Sequence, residues 1–425
     1  MSNPVSKRVK GNKFALLLSY CGVGYFGLQK NKNVRTIESD LFDAMLKIGI
    51  ITQKEYDRPQ DMYFQRAART DKGVSALRQI LSCRLPKDFP EKIDLINSHL
   101  VPQIRLIAAK RATRYFDSKN FCDYRTYAYM MPSYALCRID ETVNLDFRAT
   151  RDHITSFNKI LSRYLGTHNY HNFTSQRAAT DASSQRYIMS IECSDPFVRD
   201  DLEFVIVRVR GQSFMLHQIR KMMGLALGIQ RGFTTESSFD RAFDLHRIDI
   251  PVAPGLGLML EEVHYDKYNN RFGGDEIHEP LVWDEYSDTL RKFADEFIYP
   301  VIVNTEKQEL SMIKWLQLLP IHSFDIRGDG PPSLPLSCEL HQPEKLSTEP
   351  ASESSEPPLK KEKRERTLYM DACLKGGVLE VRSKAQDSTP EEQSSTELSA
   401  EYREVIENSD AACKDSELQK ESSIN

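Results

Sequence analysis

Disulfide and metal-ligand spacings are missing from this chain. Its eight cysteines, at positions 21, 83, 122, 137, 193, 338, 373 and 413, include no Cys-x-x-Cys pair and no Cys/His cluster at zinc spacing. Neither a disulfide framework nor a structural metal is expected, and free thiols suit a reducing, intracellular compartment. No apolar run approaches the roughly 18 residues of a membrane span, so no membrane partner is expected. The opening MSNPVSKRVKGNK is basic but lacks the apolar stretch of a secretory signal. Net charge is small as well, −4 over 425 residues. That balance conceals an asymmetry: from Lys345 onward 12 Lys plus Arg face 18 Asp plus Glu, and the rest of the chain is mildly basic. Such a body permits a polyanionic partner without demanding one.

With 40% hydrophobic residues, the chain can bury a substantial core in two domains or one two-lobed body. Phe14 to Tyr20 predicts a buried strand. A helix follows from Thr36 as cap, with Ile37, Leu41, Ala44, Met45 and Ile48 on one face. Ile154, Phe157, Ile160, Leu161, Tyr164 and Leu165 mark a second amphipathic helix. Residues 202–210, LEFVIVRVR, read as a strand, and MLHQIRKMMGLALGIQR after it as a helix with Leu216, Ile219, Met223 and Leu227 inward. This alternation predicts an α/β or α+β body ending near Tyr268, then a linker at NNRFGG, residues 269–274. Beyond it, Tyr286, Leu290, Phe293 and Phe297 form one helical stripe, and Met312, Leu316 and Leu319 another. After about Gly328 the chain turns Pro, Ser and charge rich, which predicts disorder, and KKEKR, residues 360–364, has the composition of a nuclear import signal.

Gly22, Gly24 and Gly27 follow the first strand as G-x-G-x-x-G, the spacing of a dinucleotide turn. Such a turn needs a helix N-terminus facing the pyrophosphate. Here LQKNKNVR intervenes and the helix starts only at Thr36, so nucleotide binding is not expected. The alternative is a glycine-permitted loop exposing Tyr25 and Phe26 beside Lys30, Lys32 and Arg35, a combination that binds RNA by stacking and phosphate contact.

The segment FQRAARTDKGVSA, residues 64–76, carries the chemistry. Thr70-Asp71-Lys72-Gly73 is ordinary turn chemistry, yet it also sets a carboxylate between Arg69 and Lys72. Nearby cations keep an aspartate ionised when it leaves water, as a nucleophile or general base must be. RAARTDKGVSA resembles the G-R-T-D-x-G-V-x-A signature of the TruA-type tRNA pseudouridine synthases. SYCGVGYFGLQ, INSHLV, RTYAYMMP, GTHNYHNFTSQ, GQSFMLHQIRKMMG and PGLGLMLEEVHY agree with that family in order, and the resemblance covers roughly residues 13 to 325. ARTDKGVSA, HNFTSQ and HQIRKM look like its eukaryotic, pseudouridylate synthase 1-like branch.

The resemblance implies an isomerase that detaches uracil from ribose, turns it and rejoins it through carbon 5, with no cofactor and no metal. Asp71 would be the catalytic nucleophile or base, Arg220 its charge partner, and Tyr127 the residue stacking on the target base. Arg69 would hold the target nucleotide flipped out, with Lys72, Tyr25 and Gln29 on the RNA side. His217, one turn before Arg220, reads as structural. The implied fold is α+β: two ferredoxin-like halves with mixed sheets, residues 13–115 and 116–270, forming a central RNA-binding cleft. A basic tail (1–12) precedes them, and a helical extension (271–328) and a disordered acidic tail (329–425) follow. Expected partners are tRNA, with uridines in or near the anticodon stem, and mRNA or other structured RNA besides. A monomer is expected, in the nucleus, with cytoplasm or mitochondrion as alternatives. Two positions depart from the family: Arg78 stands where relatives have glycine, to disturb the loop or add a phosphate contact, and Cys21 where a small polar or acidic residue is common. The competing reading is a catalytically silent RNA chaperone on the same fold.

Overall fold

In the computed structural model the described residues are 11–175 and 177–326. The expected tails beyond residue 328, the basic N-terminus up to residue 10 and KKEKR lie outside them. The first part of the chain forms β1 (Asn12–Tyr20), α1 (Ile37–Lys47), α2 (Gln53–Asp57), β2 (Gln65–Arg66), β3 (Ser75–Leu85), α3 (Ile93–Ser98) and β4 (Ile104–Ala112). The second forms β5 (Tyr124–Pro132), α4 (Arg151–Ser162), β6 (Gly166–Asn169), β7 (Gln185–Cys193), β8 (Phe197–Arg199), β9 (Leu202–Gly211), α5 (Gln218–Gln230), α6 (Ser237–Phe243) and β10 (Leu258–His264). Four helices follow: α7 (Asp266–Phe272), α8 (Ser287–Phe293), α9 (Tyr299–Glu309) and α10 (Ser311–Leu318).

The mixed α/β body is built on one sheet in the order β4-β1-β3-β10-β5-β9-β7-β6, with β2 added to β3 and β8 to β9. All pairs are antiparallel except β10 with β3, joined in parallel at Met259↔Ser75 and Leu260↔Ala76. β1 lies between β3 and β4, is covered on both faces and therefore needs an unbroken apolar run rather than alternation. Thr36 caps α1 as expected: its hydroxyl accepts from Ser39 N while Ser39 Oγ accepts from Thr36 N. The register aligns Ala76, Leu260, Tyr127 and Val209 across four strands, which sets the start of β3 level with the middle of β5, with β10 between them.

Several local expectations change. The helix after β9 begins at Gln218, and Leu216, expected inward, is exposed in the segment before it. That segment is fixed by its exit from the sheet: Met215 N donates to Gln218 Oε1 and His217 turns the chain at φ +60. NNRFGG is a linker only at its glycines, because Asn269 to Phe272 finish α7 and Asn269 Oδ1 accepts from Leu281 N. The apolar stripes expected beyond it are buried at Leu290, Phe293, Met312, Leu316 and Leu319. Helix α9 between them was not anticipated; it starts past a π-helical turn, 294–298, where Pro300 cannot donate a backbone hydrogen bond. Glu306 of α9 is buried, accepts from Tyr134 Oη at 2.5 Å and from Met312 N at 3.0 Å, and so pins the helical hairpin to the 3-10 turn that follows β5, residues 133–136.

Candidate active site

The loop from Arg69 to Val74 enters β3, and its backbone is fastened on every side. The Gln79 side chain clamps Ala68, accepting from its N at 3.2 Å and donating to its O at 3.0 Å. The guanidinium of Arg125 donates twice to Ala67 O, at 3.1 and 2.7 Å. Tyr20 Oη and Thr70 Oγ1 share a buried hydrogen bond of 2.7 Å. Val74 N closes a turn onto Asp71 O at 3.1 Å, with Gly73 supplying the positive φ of +76 that the third turn position takes.

The glycine loop forms the opposing wall and explains its own spacing. Leu28 N donates to Thr70 O, Gly73 N to Tyr25 O and Gly22 N to Ser75 Oγ, all within 3.2 Å. A Cβ at Gly22 would lie 2.3 Å from Val74 O, and one at Gly27 2.7 Å from Thr70 O. Gly22 and Gly27 therefore permit backbone to lie against the Asp71 loop, while Gly24, at φ +84 with nothing near its missing Cβ, serves only the turn.

Asp71 is half-buried, and burial raises the pKa of its carboxyl, opposed by the charges of His217 and then Arg220. Arg220 projects from the first turn of α5, where its Nε donates to Ala253 O at 2.6 Å and burial lowers its pKa. The close fit of the 251–257 segment sets that position: a Cβ at Gly224 would meet Pro251 O at 2.1 Å, and one at Gly257 would meet Met130 O at 1.7 Å. Arg220 thus acts on Asp71 through space. Tyr127 is 8% exposed, stands edge-on to Phe214 with ring centroids 5.1 Å apart, and has its phenol pushed up to about 12 by burial, with Asp71 adding to the rise. Asp71, Tyr127, Arg220 and His217 accordingly share one electrostatic environment, although 149 positions separate Asp71 from Arg220 in the chain.

The other predicted residues divide. Arg69 and Gln29 are exposed, and Lys72 lies over the ring of Phe26 with its Nζ 4.7 Å from the centroid. Phe26 is 52% exposed, as expected of a stacking residue. Tyr25 is not: it is 2% exposed and donates its hydroxyl to Asp40 Oδ2 at 2.6 Å, with Arg35 over its ring. Its burial follows from the hydrogen bonds that press the glycine loop onto its neighbour. Arg78 takes neither role foreseen for it, since it pairs with Glu262 at 2.6 Å and reaches Ser287 Oγ of α8 at 3.4 Å. Sequence reasoning missed Arg125 and Gln79; period-2 spacing, which puts Arg125 on the same strand face as Tyr127, was the available signal for the first.

Residues 160–266 match the family model described as tRNA pseudouridine synthase. The chain is 46% identical over 335 residues to the "Pseudouridylate synthase 1 homolog" of Mus musculus, covering 75% of this chain and 79% of that one. It is 47% identical over 315 residues to the Homo sapiens protein of the same name, 73% of each chain. It is also 32% identical over 399 residues to the "tRNA pseudouridine synthase 1" of Yarrowia lipolytica, covering 75% and 76%.

Proposed function

This chain belongs to the tRNA pseudouridine synthase family and is an isomerase acting on uridine in tRNA, and we propose that the carboxylate of Asp71 carries the reaction. The isomerisation breaks the bond from uracil N1 to ribose C1′, turns the base and joins C5 to C1′. The proton that leaves C5 balances the one N1 gains, so no co-reactant is consumed. Attack on the sugar, attack on the base and removal of a ribose proton all require an ionised carboxylate. The observation that carries the proposal is the opposition at Asp71: burial favours its neutral form, and the charges of His217 and Arg220, brought in from α5, act against that. Closing the site with a base withdraws more water and makes those charges count more.

Tyr127 stacks on the target uracil, which its place on the rigid centre of the sheet and its edge contact with Phe214 support. Arg69, exposed and two residues from Asp71, occupies the gap left by the flipped nucleotide. Lys72 and Gln29 meet the RNA backbone, Phe26 supplies the exposed ring, and Tyr25 supports that loop from behind. On this reading residues 13–115 and 116–270 are two ferredoxin-like halves, joined through the parallel β3/β10 pair, whose cleft admits an anticodon stem. The enzyme works as a monomer in the nucleus and accepts other structured RNA, mRNA included.

The test uses the purified full chain, an unmodified tRNA transcript, a chelator and no nucleotide, with pseudouridine mapped at single-nucleotide resolution for wild type and Asp71→Asn. Modification by wild type alone, at uridines of the anticodon stem, is expected. Equal modification by both proteins would remove Asp71 from the chemistry; binding without modification by either would leave an RNA chaperone.

A further inference from the structure

At the end of β1 and β3 remote from Asp71 lies a groove of about 250 Å³, walled by Lys13, Tyr63, Arg84, Arg114, Tyr115 and Asp117. Lys13 and Arg84 are direct partners in the β1/β3 register. Lys13 is 6% exposed, burial lowers the pKa of its ammonium, and its Nζ donates to Tyr63 O at 2.6 Å. An ammonium carries three donors, and among the described residues that carbonyl is its one hydrogen-bond partner.

Arg84 and Arg114 have no carboxylate within 4.0 Å among the described residues, whereas Arg35, Arg66, Arg78, Arg163 and Arg208 are each paired. The one acid of the groove is engaged by its own turn: Asp117 accepts from Lys119 N, Asn120 N and Asn120 Nδ2. Its charge still acts on Lys13, but three cations face this one carboxylate, so positive charge is left over. Two large rings stand beside it, Tyr63 57% and Tyr115 79% exposed. The Arg84 guanidinium lies 4.5 Å from the Tyr63 centroid and that of Arg114 5.4 Å from the Tyr115 centroid. Tyr63 sits at φ +54, a left-handed conformation that is costly for a bulky residue, and the Lys13 ammonium on its carbonyl helps to hold it there.

Exposed aromatic faces interleaved with unpaired guanidinium groups are the chemistry that holds an unstacked base and its phosphate. The volume falls just below the roughly 300 Å³ at which small-molecule pockets begin, so it suits one base. Resting on the reading that tRNA is the substrate, we infer that this groove is a second RNA contact, which takes one unpaired nucleotide of the tRNA with its base against Tyr63 and Tyr115 and its phosphate against Lys13, Arg84 and Arg114. Arg84 follows Ser75 by nine positions on β3, about 30 Å at ~3.3 Å per residue, so the captured nucleotide is neither the target uridine nor its neighbour.

The experiment compares a full tRNA transcript with a hairpin trimmed to a few base pairs around the mapped uridine, using the full chain and measuring Kd and single-turnover rate. The variants are Tyr63→Asn with Tyr115→Ser, asparagine being chosen because it tolerates left-handed backbone, and Arg114→Gln alone. The double variant weakens tRNA binding about tenfold, the loss of a stacked base, and leaves hairpin binding and the rate at saturating enzyme within about twofold. Arg114→Gln reduces the salt slope of tRNA binding by about 1. Unchanged tRNA affinity in both variants, or equal losses on tRNA and hairpin, overturns the inference. Saturable binding of free uridine monophosphate, lost in the variants while tRNA binding is kept, also overturns it in favour of a mononucleotide. Should the double variant not fold, Arg114→Gln decides, since its side chain is exposed. Wild type that makes no pseudouridine in either RNA refutes the proposed function, while the affinities still report on the groove.

Discussion

Substituting alanine at Gly22 is expected to cost activity as well as stability. The new Cβ would lie 2.3 Å from Val74 O, 2.5 Å from Val74 C and 2.8 Å from Gly73 C, all backbone atoms. Ordinary contact begins about 1 Å farther out, so the turn after Asp71 has to retreat by about that amount. Asp71 must move with it, because Val74 N is bonded to Asp71 O. A 1 Å misplacement of a reacting group costs about 100-fold, or about 2.7 kcal/mol in the barrier. Gly24→Ala is the matched control: nothing lies within 4 Å of its Cβ, and φ +84 adds backbone strain of about 1–2 kcal/mol. Gly24→Ala should therefore lower the thermal midpoint and keep the rate. The assay is the single-turnover rate of pseudouridine formation at saturating enzyme, with a melt of each protein. A Gly22→Ala rate within about threefold of wild type, or equal rate losses in the two variants, would refute the claim that this glycine exists to let the loops touch.

Arg220→Gln removes a charge that opposes the raised pKa of Asp71, so the acid limb of the rate profile should move to higher pH; an unmoved limb with a lower plateau would point to a purely structural arginine. Because the folded-state pKa of Asp71 is raised, its ionisation weakens the fold as pH climbs through that value. Asp71→Asn should consequently raise the melting temperature at neutral pH, with the gain vanishing in acid, even as activity is lost. Glu38 is fully buried, accepts from Arg66 at 2.5 and 3.0 Å and from Lys30 N at 2.8 Å, so Glu38→Ala should cost about 3–5 kcal/mol in denaturant unfolding; a loss under about 1 kcal/mol would contradict that. Arg78→Gln breaks a half-exposed pair with Glu262 and should cost at most about 1 kcal/mol with turnover kept; a tenfold drop in rate would tie Arg78 to the site after all.

Features set by neighbouring residues were legible from the chain. A hydroxyl three positions from its partner makes the Thr36 capping box wherever α1 lies, and an apolar run bounded by glycine makes β1. The turn at Asp71 to Val74 and the proximity of Arg69 and Lys72 to the carboxylate are likewise local facts. Leu216 misled because apolar periodicity does not register where a strand delivers the chain into a helix, and His217 at φ +60 resets the phase. Helix α9 escaped notice because its buried positions, Ile302, Val303 and Glu306, include an acid that no apolar pattern counts.

Tertiary contact alone decided the rest. Composition gives Tyr25 and Phe26 the same claim to exposure, yet the bond from Gly73 N to Tyr25 O turns one ring onto Asp40 and leaves the other over Lys72. The same packing turned a glycine spacing that imitates a nucleotide turn into a contact surface for the Asp71 loop. Whether Arg78 faced RNA or a carboxylate depended on Glu262, 184 positions away. The charges at Asp71 depended on where the 251–257 segment holds α5. Spacing along the chain specifies hydrogen bonds and faces within a few residues. The burial of a charge depends on which distant segments close over it, and that is a property of the folded sheet.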